Sequence, residues 1–267
     1  MRFTLILALF FSFSACGSTG AERIIATQGA AAAPPYVNAH SLSFNGSTGI
    51  VKGTYHSVQN PATDFTVNAW VKGPGTTDGA CISCMYNDTP PKNYLLARGA
   101  TSGSKMAVII SDGTNQKYYE SSVTAFDSTW HMISFTFTSG TLKLYVDGSL
   151  DASPNKIIDG SMTSINNISI PLQSGPRPSG GGNTAYYDGK ITNLTLWNIA
   201  LSSGQVGQLT SSSKPVDISA LSFFSNCISW YKYGDGDSTS ANGVLDSTSN
   251  AFSMSISGGV TISTDVP

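Results

Sequence analysis

Apolar and polar residues alternate one for one through much of this chain, most regularly from Thr129 to Gly148. The first arm sets Trp130, Met132, Ser134, Thr136 and Thr138 on one side and His131, Ile133, Phe135 and Phe137 on the other. Successive side chains of an extended chain point to opposite faces, so this period of two predicts a strand with one apolar face. Ser139-Gly140 supplies a turn. Leu142, Leu144 and Val146 then alternate with Thr141, Lys143, Tyr145 and Asp147 as far as Asp147-Gly148. The pattern predicts a central hairpin that covers something larger.

The same reading extends along the chain. Leu42 to Asn45 is a strand expected to turn at Gly46-Ser47 and return through Ile50-Val51, and His56 to Thr63 is loop. Phe65 to Lys72, Asn93 to Arg98, Lys105 to Asp112, Gln116 to Ser122 and Asn166 to Ile170 are further strands. Tyr118-Tyr119 must straddle a sheet, one ring inward and one outward. Ser174 to Asn183 reads as a flexible loop, and Leu201 to Leu209 as one short helix with Ser202 or Ser203 as its cap. The fold class is all-β.

The first residues break the alternation. Met1-Arg2 precedes an apolar run from Phe3 to Phe13, then Ser14-Ala15-Cys16. That run is too short to span a bilayer and has the size of a signal-peptide core, which predicts export. Ser14-Ala15-Cys16 resembles a bacterial lipobox, which would make Cys16 a lipidated first residue; ordinary cleavage after Gly17 is the alternative. Gly17 after the Cys resembles the sorting pattern for the outer membrane, so the expected location is an outer-membrane lipoprotein or a secreted protein. Membrane contact is expected only through the lipid anchor. Residues 17–40, small and polar with prolines, read as a tether.

Charge narrows the partners. Only 11% of residues are charged and the net charge is −2, with no basic stripe, so nucleic acid is not an expected partner.

Several strings are also similar to a known superfamily. Trp130-His131 before an alternating strand, then Gly140-Thr-Leu-Lys-Leu-Tyr-Val-Asp-Gly148, resembles the centre of the concanavalin A-like lectin and glucanase superfamily, in its laminin G-like, pentraxin-like branch. Ser41 to Gly46 resembles its opening strand and Phe65 to Lys72 its second long strand. Tyr187 to Ile191, continuing through Leu194 to Ser202, resembles the closing strand and short helix. The resemblance spans roughly residues 41–210 and implies a two-sheet antiparallel jelly-roll sandwich. Against that pattern Gly73 to Lys92 looks like a loop inserted into a hairpin, and is the first candidate for a distinguishing surface. Ile228 to Asp237 and Val244 to Ser247 resemble the segment that usually precedes the opening strand. Residues 225–266 are therefore expected to complete the sheets of one domain, 41–267, in permuted order.

Chemistry-bearing residues are few. If Cys16 carries lipid, Cys81, Cys84 and Cys227 remain; a local Cys81–Cys84 bridge is favoured over pairing either with Cys227. Retaining glucanases need two neighbouring carboxyl groups, but the two glutamates, Glu22 and Glu120, stand far apart in sequence and no Glu-x-Asp-x-x-Glu string exists. His40, His56 and His131 show no metal spacing, and His131 reads as a packed residue. Many relatives hold calcium on carboxylates of the opening turn and closing strand, where this chain has Asn45-Gly46-Ser47-Thr48 and Ile191-Thr192-Asn193. No resident cofactor is expected; were calcium bound, Asp235 and Asp237 are the candidate carboxylates. The expectation is a protein that is not an enzyme.

Binding remains. Sugar sites combine exposed aromatics with amides and charged groups, and the candidates are Tyr55, Tyr86, Asn87, Arg98, Asn115, Tyr119 and Tyr187, with Tyr94 and Tyr186 beside them. Trp70, Trp130, Trp197 and Trp230 belong to alternating strands and are assigned to the core. A surface module recognising carbohydrate or another cell-surface ligand is the expected function; the alternative is a structural or adhesive protein-protein module of a fibre or envelope assembly.

Overall fold

The alternating segments close into two stacked antiparallel sheets in the computed structural model, which describes residues 36–60, 62–88, 91–166, 168–179, 182–238 and 243–267. All of these belong to the unit Pro35–Pro267. The expected signal peptide, Cys16 and tether residues 17–35 lie outside the described residues.

In chain order the strands begin with β1 (Ser41–Asn45), β2 (Ile50–Gly53), β3 (Phe65–Lys72), β4 (Cys81–Asp88) and β5 (Pro91–Arg98). Next come β6 (Lys105–Ser111), β7 (Gln116–Thr124), β8 (His131–Thr138), β9 (Thr141–Val146), β10 (Ser149–Leu150) and β11 (Asn155–Asp159). Then follow β12 (Gln173–Gly175), β13 (Arg177–Ser179), β14 (Gly182–Thr184), β15 (Asp188–Trp197) and the helix α1 (Ser203–Gly207). The chain ends through β16 (Thr210–Ser211), β17 (Lys214–Pro215), β18 (Cys227–Tyr231), β19 (Met254–Ser257) and β20 (Val260–Ser263).

The first sheet runs β10-β9-β8-β3-β15-β1-β20, with β18 also paired to β15; the second runs β11-β7-β6-β5-β4-β12-β2-β19. The central hairpin pairs Phe135 with Leu144 and Phe137 with Leu142, and β8 pairs along β3 from Phe65↔Phe137 to Val71↔His131. C-terminal strands enter both sheets: β18 beside β15, β20 beside β1, β19 beside β2.

Between the sheets lies the main core. The first sheet contributes Phe65, Val67, Ala69, Ile133, Phe135 and Ile191, and the second Val51, Ile82, Tyr94, Leu96, Val108 and Tyr119. Burying such side chains contributes about 1.5–3 kcal/mol each, which is why the period of two fixes which face turns inward. A second apolar layer covers the outside of the first sheet. Trp70, Met132, Tyr145, Trp197 and Trp230 there meet Leu201, Val206, Leu209, Ile218 and Phe223 from the segment 199–226. Strand β3 is consequently buried on both faces. Helix α1 is held by a capping box, Gln205 N donating to Ser202 Oγ while Ser202 N donates to Gln205 Oε1.

Some expected elements are different. Asn45 to Ile50 is a crossing between sheets and not a hairpin turn, since β1 and β2 belong to opposite layers. The expected loop 73–92 holds a full strand: β4 pairs β5 from Cys81↔Ala97 to Asp88↔Pro91. Gly and Pro at 73–75 and the Cys pair obscure that strand's alternation. Asn166–Ile170 is not strand among the described residues; Ile168 instead offers its carbonyl to Asn60 Nδ2 at 3.0 Å. The expected flexible loop 174–183 contains strand residues of β12, β13 and β14, and β13 and β14 form a small antiparallel pair in which Arg177 faces Thr184.

Candidate functional site

The outer face of the second sheet presents a groove, and β4 shapes it. In a regular strand residues three apart point to opposite faces. Here β4 carries an extra residue between Cys81 and Ser83 relative to β5, and a matching shift against β12. A bulge of that kind re-aims side chains. It puts Cys81 and Cys84 on the same outer face, disulfide-bonded, beside Tyr86, Leu95, Ala97, Ala107 and Ile109. Cys227, the other cysteine among the described residues, is free and buried beneath the opposite face, where burial pushes its thiol far up.

A row of registered neighbours crosses this face: Ser255, Lys52, Gln173, Cys84, Leu95, Ile109 and Tyr118. At the β2 end of the row the groove opens, with a volume of about 440 Å³, within the size range of small-ligand sites. Lys52 and Gln173 line it from β2 and β12, Tyr86 and Asn87 from β4, and Ile170 and Pro171 from the preceding segment. Pro178, Ser179, Gly182 and Asn183 of the β13–β14 hairpin make the facing wall.

One ion pair fastens that hairpin to β4. Arg177 Nη2 donates to Asp88 Oδ1 at 3.1 Å, Ser179 Oγ donates to Asp88 Oδ2 at 2.8 Å, and Tyr86 OH donates to Asp88 Oδ1 at 3.4 Å. Burial pushes the Asp88 carboxyl up, but the hydrogen bonds from Ser179 and Arg177 and the guanidinium charge outweigh it and hold it below its ordinary value. Burial raises the Tyr86 hydroxyl to about 12, so it stays a donor across the working pH range. The groove lining therefore offers amides, hydroxyls and one ammonium, with apolar strips at Ile170, Pro171 and Pro178.

Of the candidates read from sequence, the structure brings Tyr86 and Asn87 together at this groove. Tyr86 is only 1% exposed, so it underlies the site and is not a free stacking platform. The others do not join them. Arg98 is buried: it pairs with Asp78, donates to the Pro74 carbonyl at 3.0 Å and lies 5.3 Å from the centre of the Tyr187 ring. Tyr187 is itself fully buried, donating to the Lys72 carbonyl at 3.0 Å. Tyr119 is the inward ring of its pair, its hydroxyl donating to Asp159 at 2.5 Å, while Tyr118 turns outward. Tyr94 is buried in the main core and Tyr186 is half-buried. Asn115 is exposed but bound into the Asp112 turn, and Tyr55 is 36% exposed on the loop after β2. For the strand residues Tyr86, Arg98 and Tyr119, alternation names two faces without saying which is covered, and their misplacement follows from that.

Asp235 and Asp237 are occupied by the fold. Asp235 accepts from Ala39 N at 3.0 Å and contacts His40 Nδ1 at 2.9 Å; Asp237 accepts from Gly234 N and Leu245 N at 2.8 and 2.9 Å. No group of three or more His, Cys, Asp or Glu side chains could hold a metal among the described residues. His131 is not a packed core residue. It sits between Asp147 and Asp127, at 2.8 and 3.2 Å, and its hydrogen bond to Asp147 raises its pKa. Glu120, the glutamate among the described residues, is buried on sheet structure, accepting from Thr101 N at 2.9 Å and Tyr118 OH at 2.6 Å.

The signal that sequence reasoning missed is Gln173, Ser179 and Asn183, which stand in a Gly- and Pro-rich stretch with no alternation; the turn-forming glycines between Ser179 and Asn183 in the sequence were the available clue.

Two sheets packed face to face, a short capped helix and a groove on an outer face define a lectin-like β-sandwich. The chain belongs to the concanavalin A-like lectin/glucanases superfamily: residues 45–207, more than half of its length, match the laminin G-like family within it. Among solved structures it is similar to a proposed carbohydrate binding protein from Bacteroides ovatus, at 16% identity and a TM-score of 0.59, covering 84% of this chain and 59% of that one. The chain thus spans about three-fifths of the length of that protein. It is also similar to the heptameric SAP-like pentraxin of Limulus polyphemus, at 14% identity and a TM-score of 0.52, covering 84% of this chain and 94% of that one. At these identities the likeness concerns the fold. No curated protein matches the chain.

Proposed function

We propose that this domain is a non-catalytic carbohydrate-binding module that takes its ligand in the groove between β2, β4, β12 and the β13–β14 hairpin. The observation that carries this reading is the groove's lining: Asn87, Gln173, Ser179 and Asn183 line it beside apolar strips of Ile170 and Pro178, with Gln173 largely buried and held in place by a hydrogen bond from its Nε2 to the Pro176 carbonyl at 3.1 Å. Sugars present hydroxyls and apolar ring faces together, and a lining of this kind meets both. The family and the Bacteroides ovatus neighbour support the same class of ligand. Glycoside hydrolysis needs two paired carboxyl groups; among the described residues the groove has one nearby carboxylate, Asp88, engaged with Arg177 and Ser179, which is why the proposal is binding without hydrolysis. Export, with lipidation at Cys16 holding the domain at the bacterial outer membrane, is the proposed setting.

A glycan array tests the proposal. Retention of a glycan set that disappears on Gln173→Ala or Asn183→Ala is the expected result. Retention of none at high protein density would overturn it and favour the protein-protein module. That second reading has its own observation: Leu150 of β10 and Ile158 of β11 are exposed on edge strands of the two sheets, with Val123 exposed on β7 next to β11.

A further inference from the structure

Resting on the reading of the groove as a carbohydrate site, we infer that its ligand is an acidic glycan and that Lys52 selects it by binding the anionic group. Three observations lead there. First, the position of Lys52 is built. Val51 is buried in the main core, so the alternation of β2 drives Lys52 to the outer face, registered between Gln173 and Ser255. Second, its charge is unspent. Arg98, Lys117, Lys156 and Arg177 hold carboxylates, as do Lys72 and Lys190 through Asp265, whereas Lys52 has no carboxylate partner among the described residues. Third, the carboxylate at the rim is consumed. Asp88 accepts from Arg177, Ser179 and Tyr86, so most of its acceptor capacity is committed to holding the hairpin.

Among the described residues the groove is therefore lined by one ammonium without a carboxylate partner, and the nearest carboxylate is engaged with the hairpin. A carboxylate or sulfate on the ligand would meet the ammonium in a charge-assisted hydrogen bond, while Asn87, Gln173 and Asn183 orient the ring. Since Lys52 is exposed, the contribution is modest and weakens with salt.

The test pairs each acidic probe with its neutral counterpart: a short oligogalacturonate beside its carboxyl-reduced form, and a dextran sulfate oligosaccharide beside dextran. Titration calorimetry on the domain at low salt is expected to show binding to an acidic member and little to its neutral partner. The two pairs tell carboxylate from sulfate. Lys52→Ala is expected to lower that affinity about two- to fivefold, and added salt to lower it for the natural chain. Lys143→Ala, which removes an exposed charge from β9 in the other sheet, is expected to change nothing. Equal binding of both members of a pair would overturn acid selection and leave the carbohydrate reading standing. Binding of the acidic member with unchanged affinity in Lys52→Ala would overturn the role of Lys52. Binding of none of these probes, with no glycan retained on the array, would overturn both readings together.

Discussion

The two sheets carry unlike outer faces. On the first sheet four tryptophans lie on or beside an apolar layer that the segment 199–226 seals, with Phe223 5.4 Å from Trp197 and Tyr36 5.6 Å from Trp230. On the second sheet the outer cluster is smaller, built from a disulfide, two alanines and a few larger side chains, and it gives way to a polar groove at the β2 end. Strands of equal regularity thus face a third layer on one side and a ligand-sized recess on the other. Regular secondary structure alone does not locate function; the segment that covers a face, or leaves it open, does.

Mutations can break or sharpen that contrast. Trp197→Ala should cost about 3–5 kcal/mol, because the indole is fully buried beneath the covering layer and leaves a cavity. Denaturant unfolding would measure it. A loss below about 1 kcal/mol would mean the layer is loosely attached. Asp78→Ala should cost about 3 kcal/mol by stranding the buried Arg98 guanidinium, while an Asp78→Ala, Arg98→Met double variant should recover part of the loss.

Opening the bridge on the second face should cost less. Replacing Cys81 and Cys84 by Ser closes no ring and should lower stability by about 2 kcal/mol, as expected for so short a loop. If the bulge relaxes with it, glycan affinity should fall as well, since Tyr86 and Asn87 would change faces. Asn183→Ala, on an exposed residue, should alter stability by less than about 0.5 kcal/mol and yet weaken glycan binding severalfold. Equal loss of stability and binding would remove the distinction between the two faces.

The smallest expected effect is on pH dependence. His131 has its pKa raised in the folded state by Asp147 and Asp127, so its contribution is fully present below the ordinary imidazole value of about 6.5. It is lost as pH rises through the raised folded value. His131→Gln should flatten that part of the stability profile; an unchanged profile would show that the two carboxylates do not couple to folding.

Much of the architecture was legible because strand alternation is local. Residues 65–72 and 129–148 state their own period, and the apolar face they name is the one that meets the core. The polar-looking faces were less legible. Trp70 and Trp230 are buried, but under a third layer contributed by residues some distance away along the chain. Tyr119 and Tyr187 read as surface rings and lie inside, because a neighbour in the alternation or a crossing strand decides the matter. Strand β4 was hidden by the bulge that interrupts its period.

The order of residues alone settled that this chain makes β strands, that one face of its long alternating strands is apolar, and that its paired carboxyl chemistry is sparse, since all three depend on neighbours in sequence. Tertiary structure decided which second face is sealed and which is open, that Arg98 is spent on Asp78, and that Lys52, Gln173 and Asn183 share one recess. Lys52 lies more than a hundred positions from Gln173 and Asn183, and only strand pairing, whose register is set by burial on the far side of the sheet, brings it to them.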